Sequence, residues 1–260
     1  MLIIAGSPSM LGASALSSLA ALRSGAGLVT AAVPKSLNLT LQEKISNCIM
    51  TKPLAENKNG TYSLKAYGQI KLLWDQFDAL AIGPGLGRDS STQQLARQVI
   101  IHCPKPLVID ADALFALSGH TTILLKAAGA RVLTPHVGEM ARLTGLPPKQ
   151  IEASRSKIAC DFARKHHCIL LLKGHRTVVA SSQGRAHINH TGNAGMAKAG
   201  SGDVLTGMLS ALLAQDIVPF EAAKLAAYWH GKAGDYAARQ RPKASMIATD
   251  IIEAIFKEGR

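Results

Sequence analysis

Residues 192–207 read GNAGMAKAGSGDVLTG. Within them, Ala199-Gly200-Ser201-Gly202-Asp203 joins small, side-chain-poor residues to an apolar, helix-patterned run from Val204 to Gln215. A glycine-rich turn entering a helix leaves several backbone N–H groups without intrahelical partners. Those donors and the helix dipole attract an anion, most often a phosphate. Asp203 falls at or near the N-cap of that helix. A carboxylate there can take a proton from a hydroxyl while the turn holds charge developing on a transferring phosphoryl group. Read alone, the same residues equally describe a capping aspartate on an ordinary turn.

Four further clusters could do chemistry. Gly83-Pro84-Gly85-Leu86-Gly87 lets a ligand approach backbone and offers N–H donors, without the GxGxxG spacing of a dinucleotide turn. Asp110 and Asp112 could hold a metal, directly or through water, or orient a hydroxyl; Asp112 also suits a helix cap. In Leu133-Thr134-Pro135-His136-Val137-Gly138-Glu139, Pro135 sets a turn and His136 can present an imidazole. Glu139, in the first turn of the next helix, could reach a magnesium-bound water or simply complement the helix dipole. Lys173-Gly174-His175-Arg176-Thr177 gathers two cations and a hydroxyl beside a glycine, which suits nucleotide phosphates or a basic hairpin edge.

Other motifs are missing. There is no GxxxxGK[ST] run, and neither Ser7 nor Ser201 stands in GxSxG. His166-His167-Cys168 has no third ligand at metal spacing and reads as a surface turn. The stretch ending in Trp229-His230-Gly231 reads as a packed amphipathic helix.

Strands and helices must position these clusters. Strand-like runs fall at 2–5, 28–33, 78–82, 107–109, 131–134 and 169–172, with a hairpin from strands near 176–180 and 185–189 around Ser182-Gln183-Gly184. Helical patterning covers 12–23, 90–101, 150–165, 203–215, 220–238 and 247–257. Residues 48–68 carry the least pattern. The alternation predicts an α/β fold with a mostly parallel sheet covered by helices on both faces. Four of the clusters then follow the C-terminal ends of strands, the edge at which open α/β sheets bind ligands.

Bulk composition narrows the partners. The 260 residues are 47% hydrophobic but only 4% aromatic, so the core is built from Ala, Leu, Ile and Val. A formal net charge of +12 favours anionic ligands. The charges are scattered, without a Lys/Arg run or a zinc-finger spacing, which argues against nucleic acid. The four cysteines form no CxxC and read as small core residues of a reducing, cytoplasmic compartment. The first 22 residues lack charge, but no basic segment leads them and Gly6, Pro8 and Gly12 interrupt them, unlike a signal peptide. No run is long enough for a membrane span. Without repeat or linker, residues 1–260 are expected to form a single domain.

The ordered motifs ALRSGAGLVT, GPGLGRD, DADAL, LTPHVGEMARLTG, LLKGHRT and NAGMAKAGSGDVLTGMLSALLAQ resemble the ADP/ATP-dependent NAD(P)H-hydrate dehydratases, members of the ribokinase-like superfamily. The similarity covers roughly residues 2–257. It implies a three-layer α/β/α fold with a late antiparallel hairpin. It also implies a hydro-lyase that repairs the S-epimer of hydrated NADH or NADPH. ADP or ATP phosphorylates the ring hydroxyl, and phosphate elimination restores the double bond.

By resemblance, Asp203 is the base on the substrate hydroxyl, and Gly200, Ser201 and Gly202 form the anion hole. Ala13, Gly85, Gly87 and His136 contact the hydrated dinucleotide. Lys173, Gly174, His175, Arg176 and Thr177, with Gly202, contact the adenine nucleotide. Glu139 and Asn193 support phosphate and Mg2+, through water. The family implies a homotetramer working with an NAD(P)HX epimerase. One departure accompanies the match: family members usually carry a Lys- and Gly-containing segment before the first strand, where this sequence reads Met1-Leu2-Ile3. Either the start is misassigned, the chain is trimmed, or the protein lacks that segment, and loss of a cationic segment is expected to weaken substrate binding. Two other readings use the same GSGD motif: a kinase of a small alcohol, and a non-catalytic nucleotide-binding regulator.

Overall fold

Unbroken apolar runs have no polar face to turn toward water, so they fold as strands covered on both sides. The computed structural model describes residues 1–257; the last three of the expected 1–260 domain lie outside the described residues. Nine strands form one sheet: β1 (Leu2–Ile4), β2 (Thr30–Pro34), β3 (Met50–Leu54), β4 (Leu80–Ile82), β5 (Leu107–Ile109), β6 (Arg131–Leu133), β7 (Ile169–Leu172), β8 (Val178–Ala180) and β9 (Ala186–Ile188). Their order is β3-β2-β1-β4-β5-β6-β7-β8-β9. All pairings from β3 to β7 are parallel, and β8 and β9 add on antiparallel, as the hairpin signal predicts. The chain leaves β1 on one side for β2 and returns on the other as β4. That reversal opens a crevice at the C-terminal ends of the strands.

The helices are α1 (Leu11–Arg23), α2 (Asn38–Lys44), α3 (Ala66–Lys71), α4 (Ser90–His102), α5 (Ala111–Leu117), α6 (Val137–Thr144), α7 (Pro148–Ala153), α8 (Arg155–Lys165), α9 (Ser201–Ala214), α10 (Pro219–Gln240) and α11 (Ala248–Glu253). Successive strand side chains point to opposite faces. Leu2, Ile4, Leu80, Ile82, Leu107 and Ile109 pack with α3 to α8 on one face. Ile3, Ala31, Val33, Ala81, Val108 and Val132 pack with α1, α2, α9 and α10 on the other. The result is the three-layer α/β/α arrangement expected from the sequence.

Several expectations need correcting. Residues 48–68 contain β3, which its edge position leaves mostly exposed and which tolerates Pro53 there. The helix expected over 150–165 is two, because Ser154 leaves the helical region (φ −141°, ψ 39°) and Arg155 then donates to the carbonyls of Leu172 and Lys173 at 2.9 and 3.2 Å. The final helix stops at Glu253, short of 257. Cys103 and Cys168 are buried as expected, but Cys48 is exposed. His166 is no surface residue: it is buried, its ring 4.4 Å from that of Phe162.

Candidate active site

The first turn of α9 is where the chain is least ordinary. Gly200, its N-cap, has φ +86°, a conformation that costs glycine little. Asp203 is therefore the third helical residue, not the cap. Ser201 N–H donates to Lys198 O at 3.3 Å, and regular pairing resumes with Val204 N–H to Gly200 O at 3.1 Å. Among the described residues, the N–H groups of Gly200, Gly202 and Asp203 have no acceptor. Of the three residues expected to form an anion hole, Gly200 and Gly202 thus keep a free N–H, while Ser201 has its N–H engaged.

A buried ion pair lies against this turn. Asp110, at the end of β5, is 1% exposed and accepts from Lys173 Nζ at 2.7 Å and Thr206 Oγ at 2.8 Å. Lys173, at the end of β7, also lies 3.8 Å from Glu139 Oε2. A Cβ on Gly202 would stand 3.3 Å from Lys173 Nζ, so the glycine lets the helix start rest on the pair. Burial works against the charge on Lys173, but Asp110 and Glu139 outweigh it and hold the ammonium above its ordinary pKa. Asp203, half-buried, has its carboxyl pushed up to about 7, by burial first and Asp110 second, against the pull of Lys173. Such a group exchanges protons near neutrality.

Ala13, Gly85, His136, Glu139, Gly200 and Asp203 line one cleft of about 610 Å³. Gly85 is packed where a Cβ would come within 2.7 Å of Met10 O and 2.9 Å of Ala13 Cβ, so glycine alone lets the turn close on α1. His136 caps α6 in a reciprocal box with Glu139: His136 N–H donates to Oε2 at 2.8 Å, and Glu139 N–H to Nδ1 at 3.2 Å. Gly87 does not line the cleft. Its N–H donates to Asp112 Oδ2 at 2.9 Å, so Asp112 ties down the glycine turn and does not cap α5, whose N-cap is Asp110.

The remaining expected residues are not all gathered. Lys173, Gly174, His175, Arg176 and Thr177 lie outside the lining of this cleft; His175 and Arg176 are exposed, and Thr177 Oγ donates to Gly174 O at 3.0 Å. Lys173 turns inward to Asp110 while its neighbours face water. Asn193 does not meet Glu139: its Oδ1 accepts from Gly195 N–H at 2.9 Å, and its Nδ2 donates to Gly234 O at 2.9 Å and Asp235 Oδ1 at 3.0 Å. Among the described residues, no group of three or more His, Cys, Asp or Glu side chains is gathered for a metal. Magnesium, however, keeps most of its waters and takes one or two carboxylates together with substrate phosphates. Glu139 on the cleft wall fits that demand; Asn193, held in its own loop, does not.

Sequence reasoning missed Thr206 and His230. Thr206 follows Asp203 by three residues and so shares its helix face, a readable signal. His230, on α10, has its Nε2 3.4 Å from Ser201 Oγ, and burial pulls its pKa down to about 4, so the ring is neutral. Only the packing of α10 brings it there, and no local pattern announces it.

A family model described as NAD(P)H-hydrate dehydratase matches residues 1–257. The bifunctional NAD(P)H-hydrate repair enzyme of Moorella thermoacetica is 47% identical over 253 residues, covering 97% of this chain and 48% of that protein. The ADP-dependent (S)-NAD(P)H-hydrate dehydratase of Bacillus subtilis is 32% identical over 259 residues, 98% of this chain and 88% of that one. A crystal structure of the Bacillus subtilis ADP/ATP-dependent enzyme, co-crystallised with ATP/Mg2+ and soaked with CoA, has a TM-score of 0.83 at 29% identity, covering 98% and 88% of the two chains. This chain spans about half the length of the bifunctional relatives it matches. No helix among the described residues is long and apolar enough to cross a membrane.

Proposed function

The chain belongs to the NAD(P)H-hydrate dehydratase family, and from that premise we propose that it returns the hydrated S-epimers of NADH and NADPH to the reduced dinucleotides. One observation carries the reading: a carboxyl with a pKa of about 7 stands on the wall of the cleft, next in sequence to the unpaired N–H groups of Gly202 and Asp203. Ionised Asp203 takes the proton of the ring hydroxyl as its oxygen attacks the terminal phosphorus of ADP or ATP. The donor's bridging P–O bond breaks, and AMP or ADP leaves. The N–H groups of Gly202 and Asp203 hold the transferring phosphoryl oxygens, and the Lys173 ammonium offsets their charge. The ring C–O bond then breaks with its electron pair leaving on phosphate, the neighbouring ring carbon gives a proton to water so that its C–H pair restores the double bond, and Asp203 returns its proton to solvent.

Ala13, Gly85 and His136 position the hydrated ring, with Gly87 shaping the turn behind it. Gly202 and the segment from Lys173 to Thr177 receive the nucleotide. Bound magnesium supplies charge neutralisation at the donor phosphates; Glu139 would hold it through water. The same reading extends to residues 1–260 as one dehydratase domain of a homotetramer in the cytoplasm, acting on epimers that an NAD(P)HX epimerase interconverts. The Bacillus subtilis relative's name specifies ADP, and its crystals were grown with ATP and Mg2+, which supports a nucleotide donor with magnesium.

The test is the near-ultraviolet absorbance of reduced nicotinamide, followed with hydrated NADH, Mg2+ and either ADP or ATP. A nucleotide-dependent rise with released phosphate is expected. Asp203→Asn is expected to lower kcat by at least ~100-fold while ADP still binds. A stable phosphorylated product would instead mark a kinase, and full activity in the variant would remove Asp203 from the mechanism.

A further inference from the structure

The mechanism leaves two cations of the cleft unused. Arg88, just after the Gly83–Gly87 turn, and Arg142, on α6, are both exposed and line the cleft that holds Asp203. Arg88 is held on two sides. Its Nε donates to Asp112 Oδ1 at 3.2 Å, and its guanidinium carbon stands 4.4 Å from the centre of the Phe115 ring. Neither contact uses the terminal nitrogens, which have no partner among the described residues. Asp112 is occupied in turn, since its other oxygen accepts from Gly87 N–H at 2.9 Å. Arg142 has no hydrogen-bond or ion-pair partner among the described residues.

A planar guanidinium, stacked and anchored at Nε, presents an open fork that matches two phosphate oxygens. Anchoring also removes much of the ordering cost of binding. We infer that Arg88 and Arg142 form a phosphate site on the cleft wall that receives a phosphate of the dinucleotide substrate, with Arg88 as its bidentate element. The inference rests on the reading of the cleft as a site for hydrated NADH or NADPH. The two substrates separate the sources of that phosphate: both carry the diphosphate, and only the second carries a ribose monoester.

Arg88→Ala and Arg142→Ala test it through KM and kcat for each hydrate and KM for ADP. For Arg88→Ala, KM for hydrated NADPH should rise about ten- to a hundredfold, with kcat within about twofold. KM for ADP should not move. Arg142→Ala should show a smaller rise, and Arg88→Lys should recover little, because an ammonium lacks the fork. A rise confined to hydrated NADPH places the monoester in the fork; an equal rise for both places the diphosphate there. Unchanged KM for both hydrates, or a matching rise in KM for ADP, overturns the site. Calorimetric titration with NADPH and NADH themselves separates this inference from the repair reaction. A wild-type protein that turns over neither hydrate, yet binds NADPH through Arg88, keeps the phosphate site and loses the reaction. Turnover unaffected by both alanine variants does the reverse.

Discussion

Asp203 sets two opposite pH dependences on one side chain. Its carboxyl titrates at about 7, against an ordinary 3.8, because burial and Asp110 disfavour its charge. The ionised form is the base, so kcat/KM should rise with pH and level off above about 7. Stability runs the other way. A carboxyl whose folded pKa is raised contributes stability that is full below its unfolded value and lost as pH rises through the folded one. Between about pH 4 and 7 the fold therefore gives up stability to hold this base. Asp203→Asn, which cannot ionise, should melt at a higher temperature than wild type near pH 8, with the gap closing toward pH 4. A gap that stayed constant across that range would show that the carboxyl is not raised by the fold.

At the scale of elements, α1 and α9 bring the two sides of the cleft together. Ala13 stands near the start of α1 and Asp203 in the first turn of α9. The helices touch at Gly207, where a Cβ would collide with Ser17 O and approach Ala20 Cβ and Ala21 N at 2.9 Å. Small residues on α1 permit this contact, and the Ser17 hydroxyl is kept satisfied by Ala13 O at 2.8 Å. Gly207→Ala should lower stability by about 1–3 kcal/mol in urea unfolding, through overpacking. It should also reduce kcat, because it displaces one wall of the site from the other. Gly12→Ala is the control: its Cβ meets nothing within 4 Å, and urea stability should hold or rise slightly. Equal stability of Gly207→Ala and wild type would mean that the helices are not in fixed contact.

Over the whole molecule, a charge of +12 acts on every anion that approaches. Both proposed substrates are polyanions, and their encounter with a cationic surface is accelerated by the long-range field. Salt screens that field over a Debye length of about 10 Å near 0.1 M. Raising NaCl from about 0.05 to 0.5 M should lower kcat/KM for the hydrated dinucleotide several-fold and leave kcat unchanged. A salt-independent kcat/KM would assign the charge to solubility alone. The sheet contributes at the same scale. The reversal of strand order at β1 and β4 opens the crevice into which the Gly83–Gly87 turn, Asp110, His136 and Lys173 all converge from strand ends.

Much of this was legible in the residues. Short, largely apolar runs, each closed by Gly, Asp, Pro or Lys, marked the six parallel strands β1, β2, β4, β5, β6 and β7, because a strand buried on both faces has no other composition available. β3 escaped because an edge strand need not be apolar, and the break at Ser154 because both flanking segments are helical by pattern. The GSGD turn was readable as an anion site, since missing N–H partners follow from any helix start. Its details were not. Engagement of Ser201 N–H with Lys198 O follows from the local turn geometry, and the contact of Ser201 with His230 from the packing of α10. The inward turn of Lys173 depends on Asp110, 63 residues before it in the chain, and the raised pKa of Asp203 depends on burial and then on the same Asp110. Sequence alone determined which residue types stand at the strand ends, because composition and periodicity are local. The tertiary structure alone decided which of them are buried together, because ion pairing and desolvation act between groups that only packing brings within a few ångströms.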